Sequence, residues 1–428
     1  MTKRLRFLAL HAWAAMGLLA LVAAGAQAQA VYTAPVSSTA QPAILCTTRN
    51  VYPESGSGFA ATSATYRIYQ VFPYAVTSPR WYYTNEIPGS FGQNVTAQTA
   101  SITIKVGIEI GTGAAMVIYP LTFNGGAGSA VIAAGGMVAS DPLPITVAAG
   151  TKVHVRSFVS AATNGQWGGA SDSWPFNGDD SDMVAASVDL SQTISAAGIF
   201  GNGFASNNMS GWFGPVACTG TPMTAGPFRC FVGFGDSIFK GAIDQAANNG
   251  ANPYHGWYQK GIQDRYPYIQ CGVSGDAAQN FVAQGNLRKL LGTLSGAKYA
   301  VVAYGANDVD INNSTATVLE TNLQTMYTAL SLAGMRVVAC TITPHTDTSN
   351  VAVASSNNVR LPANVWQRGS APTSVYAKFD IESLVSTVGS GVWSSPSLLA
   401  DGNHPSNAGH AAIGTGWSNF IASSLPAY

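Results

Sequence analysis

The chain has 428 residues, with 20 Lys and Arg against 20 Asp and Glu, and charged residues make up only 9% of it. A charge so sparse and balanced leaves no basic face to hold a nucleic-acid backbone, and 47% hydrophobic residues exclude a disordered chain. The length exceeds what one core usually carries, so two domains are expected.

The chain opens with Lys3, Arg4 and Arg6, runs through an apolar stretch from Phe7 to Gly25, and then reads Ala26-Gln27-Ala28-Gln29-Ala30. A basic start, an apolar middle and small residues at Ala-x-Ala spacing make a secretory leader. Residues 1–30 are therefore expected to be removed, leaving a secreted or periplasmic protein with no stable membrane insertion. Removal takes three of the 20 basic residues and leaves 17 against 20 acidic ones.

Residues 31–223 show no helical period. Ile102, Ile104, Val106, Ile108 and Ile110 alternate with Thr103, Lys105, Gly107 and Glu109, the period of a half-buried strand. Val153 and Val155 alternate with Lys152, His154 and Arg156, and further strands are expected at Thr65 to Phe72, Met116 to Phe123 and Met183 to Leu190. Gly, Asn, Pro and Asp clusters separate these runs, which predicts an all-β sandwich or jelly-roll accessory domain. Trp81, Tyr82, Tyr83, Trp167 and Trp174 offer aromatic platforms for sugar rings, although core packing explains aromatics in strands equally directly. Asn177-Gly178-Asp179-Asp180-Ser181-Asp182 reads as a solvated turn, since its spacing misses that of a calcium loop.

Residues 224–428 change pattern. Apolar runs at Phe231 to Phe234, Tyr268 to Cys271, Tyr299 to Tyr304 and Val337 to Ile342 are each followed by helical spacing. Trp257, Tyr258 and Ile262 share a helical face with Tyr254. The same holds for Leu319, Leu323, Met326 and Leu330, and for Ile413, Trp417, Phe420 and Ile421. Gly334 stands where a helix should end. Strand–helix alternation with continuously apolar strands predicts a parallel sheet covered on both faces, whose ligands bind beyond the carboxyl ends of the strands. Ser237, Gly275, Asn307 and His345 all fall just after apolar runs, on that edge.

A serine hydroxyl needs a base to take its proton, and a histidine base needs a carboxylate to fix its tautomer. His404 supplies the base and Asp401, three residues earlier on a tight loop, the carboxylate. The developing oxyanion needs fixed donors, available from the backbone N–H groups of Ser237 and Gly275 and the amide of Asn307. His345, Trp257 and Tyr258 are candidates to touch substrate. His154 and His410 read as structural.

Gly235-Asp236-Ser237-Ile238, Gly272-Val273-Ser274-Gly275-Asp276, Gly305-Ala306-Asn307-Asp308 and Asp401-Gly402-Asn403-His404 resemble, in order, the four blocks of SGNH (GDSL) hydrolases. Ile238 stands where the family name has leucine. The resemblance covers roughly Phe231 to Tyr428. It implies a flavodoxin-like three-layer α/β/α domain without cofactor or metal, with Ser237 as nucleophile, His404 as base and Asp401 as its partner. Ser237, Gly275 and Asn307 would form the oxyanion hole. The expected activity is ester hydrolysis through an acyl-enzyme, with deacetylation of a carbohydrate as the leading reading. A lipase or broad carboxylesterase on longer acyl chains is the alternative, and a hydrolase fold reduced to a surface or carbohydrate-binding protein is the non-enzymatic one.

Five cysteines are an odd number for an exported chain. Cys218 and Cys230 can close a short loop, with Cys46 an equally good partner for either. Cys271 and Cys340 lie in apolar strand-like runs and read as buried small hydrophobes, and no CxxC spacing suggests zinc.

Overall fold

Side-chain alternation dictates the first half. Ile102–Ile110 is a strand whose Ile102, Ile104, Val106 and Ile108 enter the core while Lys105 and Glu109 face the other way. It pairs antiparallel with Thr151–Ala161, which pairs in turn with Ser63–Phe72. A second antiparallel sheet runs in the order Ile44–Leu45, Ala217–Pro222, Val76–Thr84, Met137–Ala139. One core joins the two sheets, drawing Tyr66 and Phe72 from one and Trp81, Tyr83 and Cys218 from the other.

The computed structural model describes residues 43–427 apart from 54, 57–60, 88–95, 98–99, 112–115, 164–166, 170–181, 187–188, 190, 192–212, 245–253, 285 and 371. The leader, Trp174 and most of the acidic turn at 177–182 lie outside the described residues. Among those described, no helix is long and apolar enough to cross a membrane.

In the second half the apolar runs become five-residue parallel strands, Phe231–Gly235, Tyr268–Gly272, Tyr299–Ala303, Arg336–Cys340 and Val375–Phe379. Tyr268–Gly272 and Tyr299–Ala303 flank Phe231–Gly235, and the other two strands follow Tyr299–Ala303 in order. In sequence rank this is the doubly wound order 2-1-3-4-5. Alternate side chains go to opposite faces: Val232 and Phe234 join Leu319, Leu323 and Met326 on one side, and Phe231 joins Trp257, Tyr258 and Trp417 on the other. With helices over both faces the region is a three-layer α/β/α sheet.

Three elements escape sequence periodicity. Asn50–Val51 leaves the antiparallel region and adds a sixth, edge strand to the parallel sheet beside Tyr268–Gly272. Val76–Thr84 is a strand despite Pro79, with Ser78 at φ 51 absorbing the irregularity, and Ala217–Pro222 is a paired strand that no apolar alternation announces. The core of one face of the parallel sheet also includes Ile44, Leu45, Tyr52, Tyr82, Val216 and Ala217, so the two sheet systems share apolar surface.

Trp81, Tyr82, Tyr83 and Trp167 are all buried, so these aromatics are core and offer no platform to a sugar. No disulfide joins Cys218 to Cys230. All five thiols are free and buried, the Cys230 thiol donates to the Leu45 carbonyl, and Cys218 Sγ instead faces Cys46 Sγ at 3.3 Å.

Candidate active site

Three neighbouring strands end in register at Gly235, Gly272 and Ala303. Ser237, Gly275 and Asn307 follow within a few residues, so the topology alone brings them to one edge, at the point where the strand order reverses. A Cβ at Gly235 would collide with the Phe239 side chain and the Ala303 carbonyl, so glycine is required for the chain to turn back this tightly. Asp236 then caps the short helix Ser237–Lys240, its Oδ1 accepting from the backbone N–H of Ile238 at 2.9 Å and of Phe239 at 3.3 Å.

His404 reaches Ser237 from the far end of the chain. Asp401 Oδ1 accepts from the N–H of Asn403 at 3.1 Å and of His404 at 2.8 Å, a local turn that brings Oδ2 to 2.8 Å from His404 Nδ1. His404 Nε2 lies 2.8 Å from Ser237 Oγ. With Nδ1–H donating to the carboxylate, Nε2 is the acceptor facing the serine hydroxyl. The loop is braced by Thr346, whose N–H donates to the Gly402 carbonyl at 2.9 Å. Gly402 has φ +105 and would meet Thr346 O with any Cβ, so it too must be glycine. Ser406 caps the helix Asn407–Ser424 that follows.

Burial raises the Asp401 carboxyl, but His404 and the two backbone N–H groups outweigh it and hold Asp401 well below the usual carboxylate range. The carboxylate therefore stays ionised beside the imidazole. Burial pushes Asp236 up to about 7 and Asp308 up to about 6, only partly countered by the backbone N–H groups each accepts from.

Asn307 is tied to the neighbouring loop, its Nδ2 donating to the Asp276 carbonyl at 2.8 Å. Asp308 accepts from the Ala278 N–H at 2.8 Å. The Gly275 turn and the Asn307 turn are thus laced together. His345 stands at the rim of this edge, its Nδ1 2.7 Å from Asp310 Oδ1, beside a small cavity also lined by Ala306, Thr343, Arg360 and Asn403. Trp257 and Tyr258, by contrast, are fully buried against Phe239 and Trp417. They are corrected here from substrate candidates to core, because the helical face that carries them is the one packed on the sheet. His154 and His410 are buried, as a structural reading requires. Among the described residues no three His, Cys, Asp or Glu side chains converge as metal ligands would. The motifs pointed to Asp308 but not to Asp310, which lies just past the third block on the helix Ala306–Asp310, nor to Arg288, which belongs to no block and meets Asp276 at 2.6 Å only through the fold.

Fold and site together are those of an ester hydrolase. Residues 234–412 match the GDSL-like lipase/acylhydrolase family, and this part of the chain is a domain of that family. Solved structures similar to it include an acetylxylan esterase from Geobacillus stearothermophilus, with 16% identity over 45% of this chain and 94% of that one at a TM-score of 0.36. A GDSL-like lipase from Bacteroides thetaiotaomicron has 14% identity over 46% and 89% at a TM-score of 0.36. A carbohydrate acetylesterase family member from Sinorhizobium meliloti has 17% identity over 45% and 97% at a TM-score of 0.32. No curated protein matches the chain.

Proposed function

We propose that the protein is an exported serine esterase that removes acetyl groups from a carbohydrate through an acyl-enzyme on Ser237. The observation that carries the esterase reading is the unbroken series Ser237 Oγ, His404 Nε2 and Nδ1, and Asp401 Oδ2, with both contacts at 2.8 Å. Ser237 Oγ attacks the ester carbonyl as its proton passes to His404 Nε2. The oxyanion is held by the N–H groups of Ser237 and Gly275 and the amide of Asn307. Collapse returns the proton to the departing alcohol, and water, deprotonated by the same nitrogen, releases the acid.

The leader-like first thirty residues support export. The test is hydrolysis of p-nitrophenyl acetate and acetate release from acetylated polysaccharide, both abolished in folded Ser237→Ala. Activity retained in that variant defeats the nucleophile. A strong preference for octanoyl over acetyl esters defeats the acetyl assignment in favour of a lipase.

A further inference from the structure

The carboxylate of Asp276 takes no direct part in the proposed reaction, yet it is almost completely buried beneath the turn that carries Gly275. Its Oδ2 accepts from Arg288 Nη1 at 2.6 Å and from the Tyr304 hydroxyl at 2.7 Å, and Arg288 Nη1 also donates to Tyr304 Oη at 2.9 Å. Arg288 and Tyr304 are themselves 3% and 2% exposed. The backbone carbonyl of the same Asp276 accepts from Asn307 Nδ2. An amide nitrogen has two hydrogens. Anchoring one of them on Asp276 fixes where the other points, and so the rotation of the Asp276 turn sets the aim of the Asn307 amide.

We propose that Arg288 and Tyr304 are positioning residues that hold the Asn307 amide on the oxyanion by clamping Asp276. Tyr304 lies three residues before Asn307, so its bond to Asp276 joins the two loops a second time. Arg288 comes from the helix Asn286–Leu294. The Arg288–Asp276 pair is buried on both sides, with the two side chains 3% and 1% exposed. Water is excluded from an ion pair that would weaken if wetted. The inference rests on the oxyanion role given to Asn307.

The test uses the full chain, with p-nitrophenyl acetate as substrate. Tyr304→Phe and Arg288→Lys keep the bulk of the side chain, and Arg288→Met removes its charge. The expected result for Tyr304→Phe is a fall in kcat between about tenfold and a hundredfold, the scale of a displaced donor, with KM nearly unchanged. Arg288→Lys should retain more of kcat than Arg288→Met, the melting temperature confirming that each variant is folded. Tyr304→Phe should add little further loss in an Asn307→Ala background, because the group it aims is gone. Equal losses in both backgrounds would make Tyr304 merely structural and overturn the proposal, as would an unchanged kcat in folded Tyr304→Phe. If Asn307→Ala alone leaves kcat intact, the oxyanion reading itself fails. If Asn307→Ala costs about a hundredfold and Tyr304→Phe nothing, only the positioning role fails.

Discussion

The two halves of the molecule bury polar residues to different ends. In the antiparallel half, strands of 10, 9 and 11 residues run side by side in opposite directions, so their ends scatter to both edges of the sheet. One of its buried carboxylates, Glu109, is held by Arg67 Nε at 2.9 Å and Arg156 Nε at 2.8 Å, all three side chains being carried by the long strands themselves. In the parallel half, all the strands finish on one edge, and short loops there collect Ser237, Gly275, Asn307 and His345. Direction of pairing, rather than composition, separates a region suited to bracing from one suited to chemistry. The halves are nevertheless joined by a common core, in which Ile44, Tyr82 and Val216 pack with Val232 and Phe234.

Cutting the chain after Pro222 tests that union most severely. The C-terminal fragment loses Ile44, Leu45, Tyr52, Tyr82, Val216 and Ala217 from its core. At about 1.5–3 kcal/mol for each large side chain, that loss approaches the whole stability of a typical domain. The fragment should show no cooperative melting and no esterase activity, and a fragment melting like the full chain would establish independent halves. Next in size, Asp401→Asn should lower kcat by about 10⁴-fold through the wrong imidazole tautomer, with little change in melting temperature because the side chain is 42% exposed.

Glu109→Gln should do the reverse. Removing the charge that Arg67 and Arg156 share is expected to cost about 3–5 kcal/mol in denaturant melts, while kcat of the folded enzyme stays near that of the parent. A kcat loss without a stability loss would blur the division of labour.

The smallest effect is a pH dependence within the parallel half. Burial depresses His410 from 6.5 to about 4. The unfolded chain takes up this proton below about 6.5 and the folded chain only near 4, so the stability contributed by neutral His410 is complete above 6.5 and lost as pH falls to 4. Asp236 and Asp308, raised to about 7 and 6, act in the opposite sense because the folded state keeps their protons longer, so the measurement is a difference. The stability gap between the parent and His410→Gln should shrink by roughly 3 kcal/mol across that window. A gap independent of pH would show that His410 titrates normally.

Much of this architecture could be read from local pattern. Ile102–Ile110 is a strand because its apolar residues alternate; Ser237 and Asn307 could be picked out because each stands in a short motif after an apolar run, and Asp401 and His404 because a carboxylate stands three residues before a histidine on a tight loop. The Asp401–His404 contact is itself local, closed by a turn three residues long. What lies beyond local pattern depends on distant residues meeting. Cys46 faces Cys218 across 172 positions, Asn50–Val51 completes a sheet whose other strands begin at Phe231, and Arg288 comes to meet Asp276 and Tyr304. Trp257 and Tyr258 have the spacing of an amphipathic helix in the sequence, but only packing decides that their face meets the sheet rather than a substrate. Spacing along the chain records which residues share a face of one element. It carries no record of which other element covers that face, because that is chosen by the free energy of burying the whole surface at once.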